Sequence, residues 1–249
     1  RMGQILVDAV LVHPDCTFGG GTEAEGSHWI GQEIGTSGQY VSDDAKSLFE
    51  TVDVVIDFTV PVATCLHADI AAATGTPLII GTTGITKQGH AHLDICAQST
   101  VIMQSGNMSL GITLLSALTK QVAERLGTNW DIEIVEMHHR HKIDAPSGTG
   151  LILGEAAASG RGVGLDDVAC KSREGNVGVR PEGEIGFATL RGGSVIGEHS
   201  VIFASENERI TLSHHAENRN LFSEGALAAA LWAVNKPHGR YSMQDVLGF

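Results

Sequence analysis

The chain has 249 residues, of which 42% are hydrophobic and 18% charged, the composition of an ordinary globular protein with one large domain or two smaller ones. Acidic residues outnumber basic ones by 29 to 16, which gives a formal net charge of −13. This balance argues against nucleic acid or an anionic membrane surface as a partner.

Strands and helices alternate in the first half of the chain. Apolar runs predict strands, and helical patterns between turn residues predict helices. Pro61 can occupy the first turn of one helix, and Gly75 can end it. Because strands that alternate with helices form parallel βαβ units, we predict an α/β domain with both sheet faces covered. The strands are expected over residues 52–59, 77–81 and 100–104, and the helices over 61–73 and 86–98.

The second half has a different pattern. A helix over residues 109–126 leads into residues 130–137, where apolar and acidic residues alternate, as in a strand with one face in solvent or against another layer. Little helix separates the next strands, so we predict a mixed or antiparallel sheet. An Ala-rich helix over residues 221–234 can return to the first domain. The further strands are expected over residues 184–190, 195–204 and 209–213.

Small, polar or glycine-containing segments follow three predicted strands, at residues 57–59, 81–84 and 105–108. Ligands of open parallel sheets bind outside the carboxyl ends of the strands. Each segment is a weak signal, because turns need such residues, but together they favour a nucleotide site. Upstream, Glu23 could accept hydrogen bonds from ribose hydroxyls, although a solvated loop glutamate explains it equally well.

Three histidines and two fixed positive charges occupy the five positions from His138 to Lys142. A metal site is one interpretation, because His138, His139 and His141 are potential ligands. Their spacing is not a usual ligand pattern, and Arg140 and Lys142 would repel a cation, so the sequence predicts no metal. A second interpretation is a solvated basic loop without a role.

A third interpretation combines the basic segment with the Pro-Ser-Gly-Thr turn that follows it. Ser147 is a candidate N-cap, which leaves the amides of Gly148 and Thr149 unpaired in the first turn of a helix. A helix start with free amides attracts an anion, here a small di- or tricarboxylate beside Lys142. His138 can transfer a proton near neutral pH. An anion pocket with an acid, beside a nucleotide site, indicates reductive chemistry on an acidic substrate.

With this motif the sequence resembles the 4-hydroxy-tetrahydrodipicolinate reductase (dihydrodipicolinate reductase) family over essentially its whole length. The resemblance implies a Rossmann-like parallel-sheet nucleotide domain, formed by residues 1–109 and 217–249. It also implies an α+β domain with a mixed sheet, residues 110–216, for substrate binding and oligomerisation into a homotetramer. The matching segments are residues 55–59, 81–84, 105–108, 138–149, 191–199 and 226–232.

The resemblance also implies residue roles. His138 would donate or accept a proton, Lys142 would be a second proton donor, and His139, Gly148 and Thr149 would bind a small dicarboxylate. The implied reaction is NADH- or NADPH-dependent reduction of 4-hydroxy-2,3,4,5-tetrahydrodipicolinate, through dihydrodipicolinate, to tetrahydrodipicolinate in diaminopimelate and lysine biosynthesis. The implied cofactor-binding residues are Arg1, Met2, Glu23, Gly81, Thr82, Thr83, Ser105, Gly106, Asn107 and Met108.

Two features depart from the family pattern. The family opens with a strand and a G-x-x-G-R-M-G loop, of which this sequence has only Arg1, Met2 and Gly3. We expect the first strand and the leading glycines to precede Arg1 in the encoded protein, because a real deletion would weaken cofactor binding and stability. Many members place an arginine after the ribose-binding glutamate, where this sequence has Ala24. We therefore expect NADH to be used at least as well as NADPH.

The sequence also bears on the cellular location of the protein and on two alternative functions. Four cysteines without a C-x-x-C pair favour buried free thiols in a reducing cytoplasm, and no apolar run reaches the roughly 18 residues of a membrane span. Two other functions stay open: another Rossmann-type dehydrogenase of an acidic substrate, such as an amino-acid dehydrogenase, or, if the amino-terminal strand is truly absent, a non-catalytic binding protein. The joint basic-segment and helix-start signature argues against the first.

Overall fold

The computed structural model describes residues 2–249, which form two compact units. Unit 1 contains the residues up to Ser109 together with Asn220–Gly248, and unit 2 contains Leu110–Arg219 with Phe249. None of the helices in residues 2–249 combines the length and the apolar character that a membrane span requires. All four cysteines are free, as predicted, but only Cys96 is buried, and the other three are half-buried.

Unit 1 is built on a four-stranded parallel sheet in the order β11-β5-β4-β3, and β1 and β2 form a separate parallel pair. The predicted parallel α/β architecture is confirmed. The helices are α1 (Met2–Val12), α2 (Ala45–Phe49), α3 (Pro61–Thr74), α4 (Lys87–Cys96), α8 (Asn220–Ala233) and α9 (Met243–Leu247). The strands are β1 (Gly21–Thr22), β2 (Val41–Ser42), β3 (Val55–Asp57), β4 (Leu78–Ile80), β5 (Val101–Gln104) and β11 (Gly239–Tyr241).

The ends of α3 follow the sequence signals. Pro61 lies at the first helical position, and Gly75 ends the helix with φ at 77°, a left-handed conformation that glycine adopts without strain. The preceding strand is shorter than predicted, three residues instead of eight. It ends early because the Asp57 carboxylate accepts a hydrogen bond from the Thr59 amide, which turns the chain away from the sheet. Helix α1, which was not predicted, packs against α8.

The core of unit 1 lies between its helices and both faces of the sheet. The inner strands β4 and β5 are apolar except for Gln104 at the end of β5, and all three residues of β4 are buried. Such strands read as continuous hydrophobic runs because helices cover a parallel sheet on both sides. One cluster of the core contains Phe49, Ala68, Ala71, Leu78, Ile80, Leu93, Cys96, Ala97 and Ile102.

Unit 2 is built on a five-stranded mixed sheet in the order β10-β9-β6-β8-β7. The central strand, β6, runs antiparallel to β9 and parallel to β8, so the predicted mixed sheet is confirmed. The helices are α5 (Leu110–Leu126), α6 (Gly148–Gly160) and α7 (Leu165–Val168). The strands are β6 (Asp131–His138), β7 (Ala169–Cys170), β8 (Ile185–Arg191), β9 (Glu198–Ala204) and β10 (Arg209–His215).

One face of this sheet forms the core of unit 2. Burial alternates along β6, as expected for a strand whose successive side chains point to opposite faces. Ile132 and Ile134 lie in the core, together with residues of α5 and α6. The next two positions on the same face are Glu136 and His138, which are also buried. The core face of β6 therefore changes from apolar to ionisable at its carboxyl end.

Candidate active site

Two ionisable side chains lie side by side at the carboxyl end of β6. Glu136 and His138 are two residues apart and share one face of the strand, and both are at least nine-tenths buried. The sheet register places His138 opposite Arg191 of β8 and Glu136 opposite His199 of β9. Buried charges require partners, and the neighbouring strands supply them.

Each carboxylate oxygen of Glu136 accepts two hydrogen bonds. One oxygen accepts from the Ser147 amide at 3.0 Å and from Arg191 at 2.9 Å. The other is 2.5 Å from Nδ1 of His138 and accepts from Arg191 at 2.8 Å. Burial raises the pKa of Glu136, but the bonds from Arg191, His138 and the Ser147 amide outweigh this effect and leave the pKa below its ordinary value. Glu136 is therefore an anion at neutral pH.

The carboxylate fixes the tautomer of His138. An ionised carboxylate can only accept, so Nδ1 of His138 carries the proton and Nε2 holds a lone pair. Burial lowers the pKa of His138, and the charges of Lys142 and Arg191 lower it further against the raising effect of Glu136. The resting imidazole is thus neutral and can accept a proton at Nε2. The carboxylate would stabilise the imidazolium that forms.

Gly197 keeps the space next to Nε2 open. A Cβ atom added at Gly197 would lie 3.1 Å from Nε2 of His138. Such a contact would crowd the reactive nitrogen. The φ of Gly197 is not in the left-handed region, so the glycine is required here for space and not for backbone conformation.

A second histidine, His199, packs against His138. The rings of His138 and His199 are 5.0 Å apart and meet edge to face. Nε2 of His199 lies 3.1 Å from the hydroxyl of Ser147. Burial lowers the pKa of His199 to about 4, with a further contribution from His138, so this ring is neutral at pH 7. His199 therefore connects the proton-transfer pair to the N-cap of α6 without adding charge.

The basic loop after β6 is held by its backbone. The amides of His139 and Arg140 donate to the carbonyls of Val195 and Gly193, and the Lys142 amide donates to the carbonyl of His139. Arg191 also donates to the carbonyl of Asp144, at 2.7 Å. The loop therefore has a defined shape although several of its side chains are exposed.

Lys142 forms an ion pair that the sequence did not predict. Its ammonium lies 2.7 Å from the Asp144 carboxylate, and Lys142 is half-buried whereas Asp144 is exposed. The hydrogen bond from Lys142 lowers the pKa of Asp144. An incoming carboxylate must therefore share Lys142 with Asp144 or displace it. Because Asp144 is exposed, this pairing is weak enough to be exchanged.

The start of α6 has the predicted capping geometry. Ser147 is the N-cap, and its hydroxyl accepts from the Gly150 amide at 3.0 Å. Gly148 is exposed, and a Cβ atom there would meet nothing within 4 Å. Gly148 is the first residue of α6, and the amides of the first turn of a helix have no intrahelical acceptors, so this helix start can bind an anion.

The structure places all five predicted catalytic and substrate-binding residues, His138, His139, Lys142, Gly148 and Thr149, on β6, the basic loop and the start of α6 within unit 2. Sequence reasoning missed the roles of Glu136, Arg191 and His199. One signal was available: the alternation in β6 breaks at Val135 and Glu136, where an acidic residue takes a core position. Arg191 and His199 are the first and last residues of a segment that matches the family. The match does not reveal which side chains these two residues contact.

The predicted nucleotide residues follow the strands of unit 1. Asp57, at the end of β3, is buried and serves its own unit: its carboxylate accepts from the Thr59 amide at 2.8 Å and lies 3.2 Å from Nδ1 of His67. Burial raises the pKa of Asp57, but bonds from His67 and Thr59 bring it below the ordinary value. Asp57 therefore fixes this loop and is not free to bind a ribose.

The segment after β4 packs tightly at one end and is open at the other. A Cβ atom at Gly81 would lie 2.3 Å from the ring of Phe58, so only glycine fits there. Thr82 is buried, and its hydroxyl accepts from Thr64 at 2.9 Å. Thr83 and Gly84 are exposed, and Gly84 has φ at 76° with open space around it. The open end can approach a flat ring or a phosphate.

The segment after β5 closes as a tight turn. The Ser105 hydroxyl donates to the carbonyl of Asn107 at 2.6 Å, and the Asn107 side chain accepts from the Ser109 amide at 2.8 Å. Gly106 is exposed at the tip of the turn. Met108 is 1% exposed, so its side chain, like that of Thr82, supports the strand end and does not line an open surface.

The other predicted cofactor residues lie near the amino terminus. Glu23 and Ala24 are exposed and follow β1, and the Glu23 amide donates to the carbonyl of Ser42 at 2.9 Å. A glutamate at the end of a parallel strand has the position from which a carboxylate can meet a ribose. Met2 is the first residue of α1 and is half-buried. Arg1 lies outside the described residues.

Comparisons with known proteins cover both units. A family model described as "Dihydrodipicolinate reductase, N-terminus" matches residues 1–108, and one described as "Dihydrodipicolinate reductase, C-terminus" matches residues 111–247. A 4-hydroxy-tetrahydrodipicolinate reductase from Dinoroseobacter shibae is 50% identical, over 100% of this chain and 94% of that protein. The protein of the same name from Parvibaculum lavamentivorans is 49% identical, again over 100% and 94%.

Solved structures agree on the fold. A dipicolinate-bound dihydrodipicolinate reductase from Paenisporosarcina sp. TG-14 has a TM-score of 0.80 and 23% identity, over 98% of this chain and 95% of that one. An amine dehydrogenase from Mycobacterium smegmatis has a TM-score of 0.59 and 12% identity, over 96% and 91%. At such identities the likeness shows the fold alone. The family models match nearly the whole chain, and the curated relatives are about 50% identical to it. The chain therefore belongs to the dihydrodipicolinate reductase family.

Proposed function

We propose that the chain reduces 4-hydroxy-2,3,4,5-tetrahydrodipicolinate, through dihydrodipicolinate, to tetrahydrodipicolinate in the diaminopimelate route to lysine, as an NAD(P)H-dependent oxidoreductase. Family membership supports the reaction. One observation carries the chemistry: a buried Glu136–His138 pair lies at the base of a basic loop that leads into an open helix start. Such a site can bind a carboxylate and move a proton next to it.

Substrate binding uses the two halves of the site in unit 2. One carboxylate would accept hydrogen bonds from the Gly148 and Thr149 amides, and the dipole of α6 favours negative charge there. The second carboxylate would meet Lys142 and His139 on the basic loop. Two separate attachments fix the orientation of a planar ring, which a single ion pair does not, and orientation contributes a large share of the rate.

Proton transfer is assigned to His138 and Lys142. Loss of the 4-hydroxyl leaves a conjugated cyclic imine, and reduction at C4 places negative charge on the ring that a proton at C3 must neutralise. While its ring is neutral, Nε2 of His138 can accept the C3 proton that is lost together with the 4-hydroxyl, and the imidazolium beside Glu136 can return a proton to C3 after reduction. Lys142, once released from Asp144, is the second donor and can protonate the departing 4-hydroxyl, which leaves as water.

The strand ends of unit 1 fit a nicotinamide dinucleotide. The exposed backbone at Thr83, Gly84 and Gly106 can approach a flat ring or phosphates, and Glu23 can accept hydrogen bonds from a ribose. The cofactor supplies the hydride when it is bound. Gly81 and Ser105 hold the shape of these strand ends, and Asn107 closes the turn that presents Gly106.

Ala24 supports the use of NADH. It follows Glu23 where many family members place an arginine, and a 2′-phosphate on the adenosine ribose would find no guanidinium from this position. We expect kcat/KM with NADH to equal or exceed that with NADPH. Steady-state kinetics with both nucleotides measures this directly, and a strong preference for NADPH would contradict it.

The reaction is tested with freshly made product of dihydrodipicolinate synthase and the full-length encoded protein. Oxidation of the reduced nucleotide that depends on this substrate supports the proposal. Two outcomes would count against it: turnover with an amino-acid substrate instead, which indicates another dehydrogenase, or nucleotide binding without any turnover, which indicates a binding protein. The family match favours the first result.

We also propose a homotetramer that joins through the open face of the mixed sheet. This face of unit 2 carries apolar side chains that the helices do not cover: Val135 and Met137 are half-buried, and Leu190 is 49% exposed. Light scattering of the unchanged protein and of Leu190→Glu tests this, and a monomer in both cases would refute it. A cytoplasmic location is proposed from the biosynthetic reaction and the free cysteines.

A further inference from the structure

Helices α3 and α4 of unit 1 bring three potential metal ligands together. The two helices pack against each other, and Asp69 on α3 faces His92 and Cys96 on α4. One ligand atom from each residue lies within 4.8 Å of the other two. His92 and Cys96 are four residues apart, the spacing that places two ligands on one face of a helix. The third ligand comes from 23 residues upstream of His92, so no local spacing motif reveals the group.

The distances fit a tetrahedral ion. With metal–ligand bonds of about 2.0–2.3 Å, two ligand atoms of a tetrahedral zinc site lie about 3.4–3.6 Å apart. Sγ of Cys96 is 3.7 Å from Nε2 of His92 and 3.8 Å from Oδ1 of Asp69. Nε2 of His92 is 2.9 Å from Oδ1 of Asp69. An ion at the centre requires the last pair to separate by about 0.5 Å and the other two to close by about 0.2 Å.

The donors and their exposure favour zinc. A thiolate, an imidazole and a carboxylate form the mixed set that Zn²⁺ accepts, whereas Mg²⁺ and Ca²⁺ prefer oxygen ligands alone. Cys96 is 4% exposed and closes the inner side of the group. The side chains of His92 and Asp69 are 36% and 56% exposed, so the outer side is open to an entering ion. Three protein ligands leave a fourth position there for water.

We propose that Asp69, His92 and Cys96 form a zinc site with water as its fourth ligand. The site lies on helices that follow β3 and β4, and nothing in the reductase reaction assigns a role to these three side chains. A bound ion would tie α3 to α4. An ion pair between Asp69 and His92 without a metal ion would make neither stability nor binding depend on Zn²⁺.

Zinc titration of chelator-treated, full-length protein tests the site. We expect one Zn²⁺ per chain and a higher Tm in its presence, because an ion that binds only the folded state stabilises it. His92→Ala, Asp69→Asn and Cys96→Ser should each weaken binding by at least about 10-fold and remove the rise in Tm. His90→Ala, on the same helix, and Cys170→Ala, in unit 2, are matched controls that should bind as the unchanged protein does.

The absorption of a thiolate-bound metal ion distinguishes this site from one formed by the histidines of the basic loop. Co²⁺ bound in place of zinc should show a thiolate charge-transfer band that Cys96→Ser lacks and Cys170→Ala retains. Zinc binding that survives His92→Ala and Asp69→Asn but is lost in His139→Ala would assign the ion to the basic loop and overturn the proposal. Equal Tm values with and without Zn²⁺ would also overturn it. Circular dichroism verifies that each variant is folded, and His92→Ala, on a half-exposed side chain, keeps the test valid if Cys96→Ser does not fold.

Discussion

Replacement of Glu136 by glutamine is expected to damage both stability and catalysis. In the unchanged protein each carboxylate oxygen accepts two hydrogen bonds, from Arg191, His138 and the Ser147 amide. Glutamine keeps one oxygen and puts an NH₂ group in the place of the other. In either orientation the NH₂ group faces two donors, and the charge of Arg191 loses its partner.

The magnitude follows from these contacts. Removing one member of a buried ion pair costs about 3–5 kcal/mol, because an uncompensated charge is left behind. Where the NH₂ group faces His138, the imidazole must change tautomer to accept, so Nε2 becomes protonated and cannot act as a base. In a serine-protease catalytic triad, replacing the carboxylate by an amide leaves the histidine in the wrong tautomer and lowers kcat by about 10⁴-fold. We therefore expect kcat of Glu136→Gln to fall by roughly 10²–10⁴-fold, with a smaller change in KM.

Glu133→Gln is the matched control. Glu133 lies on the same strand but the opposite face, and it accepts hydrogen bonds from two arginines, Arg173 and Arg180. It is more exposed than Glu136, and it does not contact His138. Urea unfolding at pH 7 and steady-state kinetics should show a smaller stability loss and near-normal kcat for this variant. Equal kcat for Glu136→Gln and the unchanged protein would refute the assignment of Glu136.

Three further predictions concern the same site. His138→Ala and Lys142→Ala should each lower kcat by roughly 10²-fold or more with the fold intact by circular dichroism, and near-normal rates would remove the residue from the catalytic set. Gly197→Ala should lower kcat because its methyl group crowds Nε2 of His138, and unchanged kinetics would show that this space is not used. The depressed pKa of His199, about 4 against 6.5, means that the unfolded chain binds the extra proton between these values. Above pH 6.5 the neutral His199 does not lower the free energy of unfolding. As the pH falls from 6.5 towards 4, the free energy of unfolding decreases by about 3 kcal/mol in total because of this group. Urea unfolding of His199→Gln should show a flatter pH dependence in this window, and an unchanged slope would contradict the assignment.

Most of the fold was predictable because its elements have strong local signals. Pro61 and Gly75 marked the ends of α3, and the lack of helix between the later strands predicted a second sheet, mixed or antiparallel. The strand before α3 was predicted too long at both ends, because the β-branched run begins at Val52, before the pairing with β4 starts at Val55, and because the chain turns after Asp57. The short strands β1, β2, β7 and β11 were missed, because runs of two or three residues are too short to show a periodic pattern.

The site was predictable in its local half only. The basic segment and the helix start lie close together in the sequence, and Ser147 caps α6 as expected. Arg191 and His199 come from strands more than 50 residues away from Glu136, and only the sheet register brings them to it. The pairing of Lys142 with Asp144 was missed because loop conformation decides it. Long-range register and loop shape are the two features that local patterns do not specify.

We propose that the basic loop and the start of α6 together bind a planar dicarboxylate next to His138. The most direct test is a crystal structure of the full-length protein with pyridine-2,6-dicarboxylate. We predict one carboxylate at the amides of Gly148 and Thr149, the other near Lys142, and the ring beside Nε2 of His138. A ligand bound away from α6 and the loop, with these groups unoccupied, would contradict this binding mode.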